Sequence, residues 1–187
     1  MDALANETYY TYTDYLAWPG ETRYELIGGM PYLLASPSQA HQTVSGELFA
    51  LLHAFLKGKP CKVFAAPFDV RLNPDSGDDT VVQPDLLVVC DQTKLDGKAC
   101  VGAPDLVVEI LSPSSAKMDC LIKQRLYQKA GVCEYWIADP ESRTVYVLLQ
   151  RDGGYDLKEY AGEAVVPVTV LPGCEISLQD IFLYEVG

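Results

Sequence analysis

Histidine is scarce in this chain, with two residues in 187, and none of its six cysteines falls in a CxxC spacing. That excludes the usual Cys/His zinc sites. No apolar run approaches the roughly 20 residues that a membrane-spanning helix needs. Residues 1–7 lack the basic and apolar regions of a secretory leader, so none is expected. Cations are also few: 14 Lys and Arg stand against 26 Asp and Glu, a formal net charge of −12. A protein that coats nucleic acid through charge alone would be basic. Any nucleic-acid role must therefore run through a local basic surface or through metal ions. GxGxxG, GxxxxGK[ST] and GxSxG patterns are absent, which removes nucleotide cradles and the serine-hydrolase elbow.

What remains is the composition of a globular domain, 49% hydrophobic and 21% charged, with no repeat and no linker that would divide residues 1–187. Folding a chain of this size buries roughly 70% of its extended surface, so no disulfide or metal staple is required. The cysteines read as reduced, mostly buried thiols, which places the protein in the cytoplasm. Strands are expected at 23–27 and 31–35 around a Gly28-Gly29 turn, and a helix at 39–57 with Val44, Leu48, Leu51, Leu52, Phe55 and Leu56 on one face. A strand at 62–72 follows, then two strongly apolar ones, 81–90 and 104–111, of the kind covered on both faces. A helix over 115–130, with Met118, Leu121, Ile122 and Leu126 inward, ends at Gly131. Strands at 133–139, 144–149 and 155–160 and a short terminal helix complete a mixed α/β pattern with a central sheet.

Asp85 and Glu109 are carboxylates set in those two apolar strands. Buried carboxylates are rare unless paired or bound to a cation. Two facing each other on adjacent strands would repel, and a shared Mg²⁺, often held by one or two carboxylates, resolves the conflict. The alternative is that Asp85 caps the start of its strand and Glu109 pairs with a lysine or arginine. Asp119, Lys123 and Tyr127 share one helix face. Lys123 there either serves a phosphate site or forms a surface ion pair with Asp119. His41, in the first turn of its helix, faces inward as a core imidazole or a site residue; His53 faces out. Glu25 is a third carboxylate, in an amphipathic strand.

Together these residues resemble a known pattern. Gln83-Pro84-Asp85, with Glu109 on the next strand, is similar to the PD-(D/E)xK motif of restriction-endonuclease-like nucleases. The fuller series resembles one branch, the Uma two family of bacterial restriction endonucleases. It comprises Tyr24-Glu25-Leu26-Ile27, Ser36-Pro37 before His41, Val82 to Leu86, Pro104 to Ser114, Asp119, Lys123, Tyr127, Gly131, Tyr135-Trp136, Asp139 and Leu171-Pro172-Gly173. The resemblance implies a restriction-endonuclease-like α/β core, a central mixed β-sheet flanked by helices, with added N-terminal and C-terminal hairpins. It implies a Mg²⁺- or Mn²⁺-dependent endonuclease acting on DNA. Asp85, Glu109 and the Ile110 carbonyl would hold the metal, Lys123 would supply the catalytic ammonium, and Glu25 and His41 would be site residues. Position 111 is Leu where the motif lysine would stand, so the lysine is displaced to Lys123, with Lys117 as the alternative. Burial and a neighbouring cation would lower the pKa of Lys123. A homodimer is expected, since two sites related by a two-fold cut both strands of a duplex; the uncharged strand 144–149 is a candidate interface. The competing readings are an inactive nucleic-acid- or protein-binding module on the same fold, and an enzyme acting on a small phosphorylated substrate.

Overall fold

The computed structural model describes residues 8–20, 22–112 and 118–182. The chain begins with a short helix, α1 (Tyr12–Tyr15), and a hairpin of β1 (Tyr24–Ile27) and β2 (Met30–Leu33). Gly28 and Gly29 both have positive φ, +56° and +77°, as a two-residue hairpin turn of this type requires. Helix α2 (Gln39–Leu56) starts at Ser38, whose Oγ accepts the His41 N–H. It ends at Lys57, before Gly58 at φ +79°. Then come β3 (Lys62–Ala65), β4 (Asp69–Arg71), β5 (Val81–Val82), β6 (Leu86–Val89), β7 (Ala99–Val101) and β8 (Leu106–Ile110). Helix α3 (Met118–Ala130) precedes β9 (Glu134–Asp139), β10 (Thr144–Arg151), β11 (Gly154–Ala161), β12 (Val165–Pro167), β13 (Glu175–Ser177) and α4 (Leu178–Ile181).

Two sheets carry the architecture. The larger runs β11-β10-β9-β8-β6-β3, antiparallel except for the parallel β8/β9 pair that α3 connects. The smaller runs β2-β1-β5-β4-β7. Along β6 the side chains alternate between two cores. Leu86 and Val88 meet Leu48 and Leu52 of α2 and Trp136, while Leu87 and Val89 meet Val107, Tyr127 and Tyr135. The central strand is thus covered on both faces, as its unbroken apolar run requires.

Several expectations are corrected. The 81–90 run is not one strand. Gln83-Pro84 carries the chain from the smaller sheet to the larger, because Pro84 has no N–H for a ladder. The 62–72 strand breaks likewise, at the cis Ala66–Pro67 peptide. On α3, Leu121 and Ile122 are exposed, Leu126 packs half-buried against the core of Val107 and Tyr135 as expected, and Tyr127 is buried. The helix turns its aromatic and Lys123 inward instead of Leu121 and Ile122; the side chain of Met118 lies outside the described residues. Strand 144–149 is not a free interface edge, for β10 lies between β9 and β11 with most of its side chains buried.

The cysteine reading also changes. Cys61 and Cys90 form a disulfide. The β3/β6 register sets Lys62 against Val89, so the flanking cysteines come opposite each other across the ladder, a pairing that sequence spacing does not reveal. Cys133 is exposed, not buried, while Cys100 and Cys174 are buried free thiols. The cysteines therefore no longer argue for a reducing compartment. Reducing the bond should lower the unfolding free energy by about 2–4 kcal/mol, since the bond closes a long loop. A lower urea midpoint in reductant for wild type, with no such change for Cys61→Ser, is the expected result; an unmoved wild-type midpoint would contradict it. Among the described residues no helix is long and apolar enough to cross a membrane.

Candidate active site

The register of the larger sheet builds the site. In the antiparallel β6/β8 pair Leu86 faces Val108, so the next step outward sets Asp85 beside Glu109. Asp85 Oδ2 accepts the Ile110 N–H at 2.7 Å and is 3.0 Å from His41 Nε2. His41 reaches it because the Ser38 cap fixes the first turn of α2 over the sheet. Of Ile110, it is thus the N–H that touches Asp85.

Helix α3 closes the site from the other side. Lys123 Nζ donates to Glu25 Oε1 at 2.8 Å and to Glu109 Oε1 at 3.0 Å. Tyr127, one turn further along, donates its hydroxyl to the same Glu109 oxygen at 2.6 Å. Glu25 Oε1 also accepts the Gln83 N–H at 2.9 Å. The hand-over between sheets thereby fixes Glu25, because the amide that leaves the ladder finds its acceptor there. Glu25, which alternation alone could have exposed, is buried.

The charges are strongly coupled. Burial raises the Glu109 pKa to about 7; Lys123 pulls it down, while Asp85 and Glu25 push it up. Burial alone would lower Lys123, but Glu109 and Glu25 outweigh it and hold the ammonium well above its ordinary value. In the field of the protein's own groups the Lys123 pKa is thus raised and not lowered, because its two acids outweigh its burial. Nor does Lys123 lie at the surface, since its side chain is only 13% exposed. Tyr127 is raised too, by burial and then by Glu109.

Glu109 thus does pair with a lysine, and Asp85 does receive a backbone N–H at its strand start. Each keeps a second oxygen that makes no hydrogen bond with the described residues. Among those residues no group of three or more His, Cys, Asp or Glu stands close enough to form a cation cage. Two adjacent carboxylates with one open oxygen each suit a hard divalent ion that takes the rest of its shell from water and phosphate. They do not suit a metal that demands a full protein shell.

The structure therefore brings Glu25, His41, Asp85, Glu109 and Lys123 around one cleft of about 640 Å³. Lys117 lies outside the described residues, as do the side chains of Asp119 and Cys120. Sequence reasoning placed Gln83 in the motif but gave its side chain no role. Its amide oxygen takes Arg23, and its Nε2 donates to Tyr15 and Asp69, tying the hairpin and α1 to the cleft wall. It also gave Tyr127 no role, although the one-turn spacing from Lys123 pointed to a shared partner.

Comparison with known proteins agrees with this architecture. The chain is 29% identical over 116 residues to "Uncharacterized protein slr1290" of Synechocystis sp. (strain ATCC 27184 / PCC 6803 / Kazusa), a stretch covering 61% of this chain and 60% of that curated relative's length. It shares its fold, with a TM-score of 0.78 and 22% identity over 93% of this chain and 98% of the other, with a crystal structure described as "a putative nuclease belonging to DUF820" from Anabaena variabilis ATCC 29413. The profile of one family, described as "Putative restriction endonuclease", matches residues 12–179, nearly the whole length, and this chain belongs to that family, Uma2.

Proposed function

We propose that the protein is a divalent-metal-dependent endonuclease that hydrolyses phosphodiester bonds of DNA. One observation carries the reading: Asp85 and Glu109 converge at adjacent strand ends beside the Lys123 ammonium, each with one oxygen unbonded among the described residues, in a chain of this family. Asp85 and Glu109 would hold Mg²⁺ or Mn²⁺, with the Ile110 carbonyl beside them. Such an ion supplies Lewis-acid polarisation of the phosphate and a more acidic water.

The chain's own groups do the rest. His41 and the Ile110 N–H fix the rotamer of Asp85, and Tyr127 fixes that of Glu109. Lys123, locked between Glu25 and Glu109, donates hydrogen bonds and positive charge where the phosphate oxygens gain negative charge as the water attacks. A homodimer would set two such sites in one assembly related by a two-fold axis.

A second reading has one observation in its favour. Lys123 pairs with both Glu25 and Glu109, as an inactive binding module on this fold would arrange. Incubating the purified protein with plasmid and with oligonucleotides, in Mg²⁺, Mn²⁺ or chelator, separates the two. Cleavage in either metal and none in chelator is expected. Intact substrate under every condition, together with no calorimetric metal binding, would favour the module.

A further inference from the structure

The β1–β2 hairpin offers the cleft more than a carboxylate. Its register pairs Glu25 with Tyr32, and directly opposed residues of an antiparallel pair share a face with Cβ atoms about 5 Å apart. Tyr32 is thus the cross-strand neighbour of the carboxylate that grips Lys123. Glu25 is buried, whereas Tyr32 is 45% exposed and lines the cleft.

Arg23 precedes Glu25 by two residues, on the same face of the strand, and is exposed to the cleft as well. Its guanidinium makes no ion pair with the described residues. Nε and Nη2 instead donate to Gln83 Oε1 at 3.0 and 2.8 Å. Gln83 is immobilised in turn, its Nε2 donating to Tyr15 at 3.0 Å and Asp69 at 2.8 Å. A neutral amide oxygen holds an arginine still without cancelling its charge, and leaves other N–H groups for a second acceptor. Lys123, the other cation of the described cleft lining, is engaged by Glu25 and Glu109.

We propose that this face of the β1–β2 hairpin is the platform for the substrate strand: Arg23 grips a phosphate near the scissile one, Tyr32 stacks on a base, and the cleft takes an unpaired strand in preference to a duplex. The inference rests on the nuclease reading above and deepens it. A base lies flat on an aromatic ring only after leaving its paired stack, and such platforms are how proteins hold single strands. Leu33 and Ile122, exposed at the same cleft, extend the apolar wall that bases would meet. A chain of net charge −12, with one uncompensated arginine among the described residues of its cleft, offers little to the phosphate rows of a duplex.

Fluorescence anisotropy tests this. Full-length Asp85→Asn in Mg²⁺, which binds without cutting, is titrated with a labelled single-stranded oligodeoxynucleotide and with the same sequence closed into a blunt hairpin duplex. The single strand should bind at least about fivefold tighter. Adding Tyr32→Ala should weaken single-strand binding by about tenfold and duplex binding little, while Tyr32→Phe keeps both. Adding Arg23→Ala should reduce the slope of log affinity against log salt by about 0.7, the share of one phosphate contact on a single strand. Thermal melts of these exposed-site variants check that the fold is intact. Equal affinity for the two forms, no binding to either, or unaltered single-strand binding by Tyr32→Ala would overturn the proposal. Wild-type cleavage is read separately: cutting of any substrate retains the nuclease reading even if the platform fails. Absence of cutting sinks that reading while the binding comparison still decides the platform.

Discussion

Asp85→Asn should lower cleavage by at least about a thousandfold, roughly 4 kcal/mol of barrier, and leave the fold nearly untouched. The two halves of this expectation come from the two oxygens of the side chain. Oδ2 is structural, taking the Ile110 N–H and meeting His41. An asparagine retains one carbonyl oxygen of the same size, so the Ile110 N–H keeps an acceptor and the β6/β8 ladder keeps its end. The open oxygen and the negative charge are what a cation needs, and the amide removes the charge. Cleavage rates measured beside a thermal melt separate the outcomes. A melting temperature within a few degrees of wild type, with cleavage gone, places Asp85 in the chemistry. Cleavage within tenfold of wild type would mean that the hard-cation site is elsewhere.

The site was legible in sequence wherever a side chain contradicts its surroundings. Asp85 and Glu109 interrupt apolar strands, and such interruptions need a reason. The same logic has a limit that Glu134 exposes. Glu134 is fully buried in β9, yet it bonds Trp136 Nε1 and the Val170 N–H and has no place in the cleft. Burial of an acid signals an unmet charge, not its use. Local periodicity gave the hairpin, α2 and the terminal helix, since capping and alternation act over a few residues. It failed at Gln83-Pro84, where one apolar run serves two sheets, and at Cys61–Cys90, where the partner is set by strand register 29 residues away. It failed again on α3, whose buried side is defined by Lys123 and Tyr127 reaching acids from β1 and β8. A helix that turns a lysine inward cannot be read from hydrophobic spacing, because its partners lie far off in the chain.

That inward lysine gives the second large effect. Lys123→Met keeps the length and apolar stem of the side chain but strips Glu25 and Glu109 of their shared cation. Removing one partner of a buried pair leaves the other uncompensated, at a cost of about 3–5 kcal/mol, and here two acids are left. The cost should depend on pH in a defined direction. Glu109 has its pKa raised from 4.5 to about 7, so between these values the native state holds more protons than the unfolded one. Its contribution to stability is therefore full below 4.5 and is lost as pH rises through 7. Lys123 is raised above 10.5, so its contribution is present throughout that window and fades only in strong alkali. At pH 8 the wild-type ammonium offsets two carboxylates, and the variant bears the whole loss. At pH 5 native Glu109 is largely protonated in both proteins, and only the Glu25 pair is missing. Urea unfolding should thus give a larger wild-type-minus-variant difference at pH 8 than at pH 5, by at least about 1.4 kcal/mol, the equivalent of one pKa unit. An equal difference at both values would mean that Glu109 does not titrate near neutrality. A variant more stable than wild type at pH 8 would mean that the acids find other cations once the lysine is gone, and that the ammonium is not what holds the cleft together.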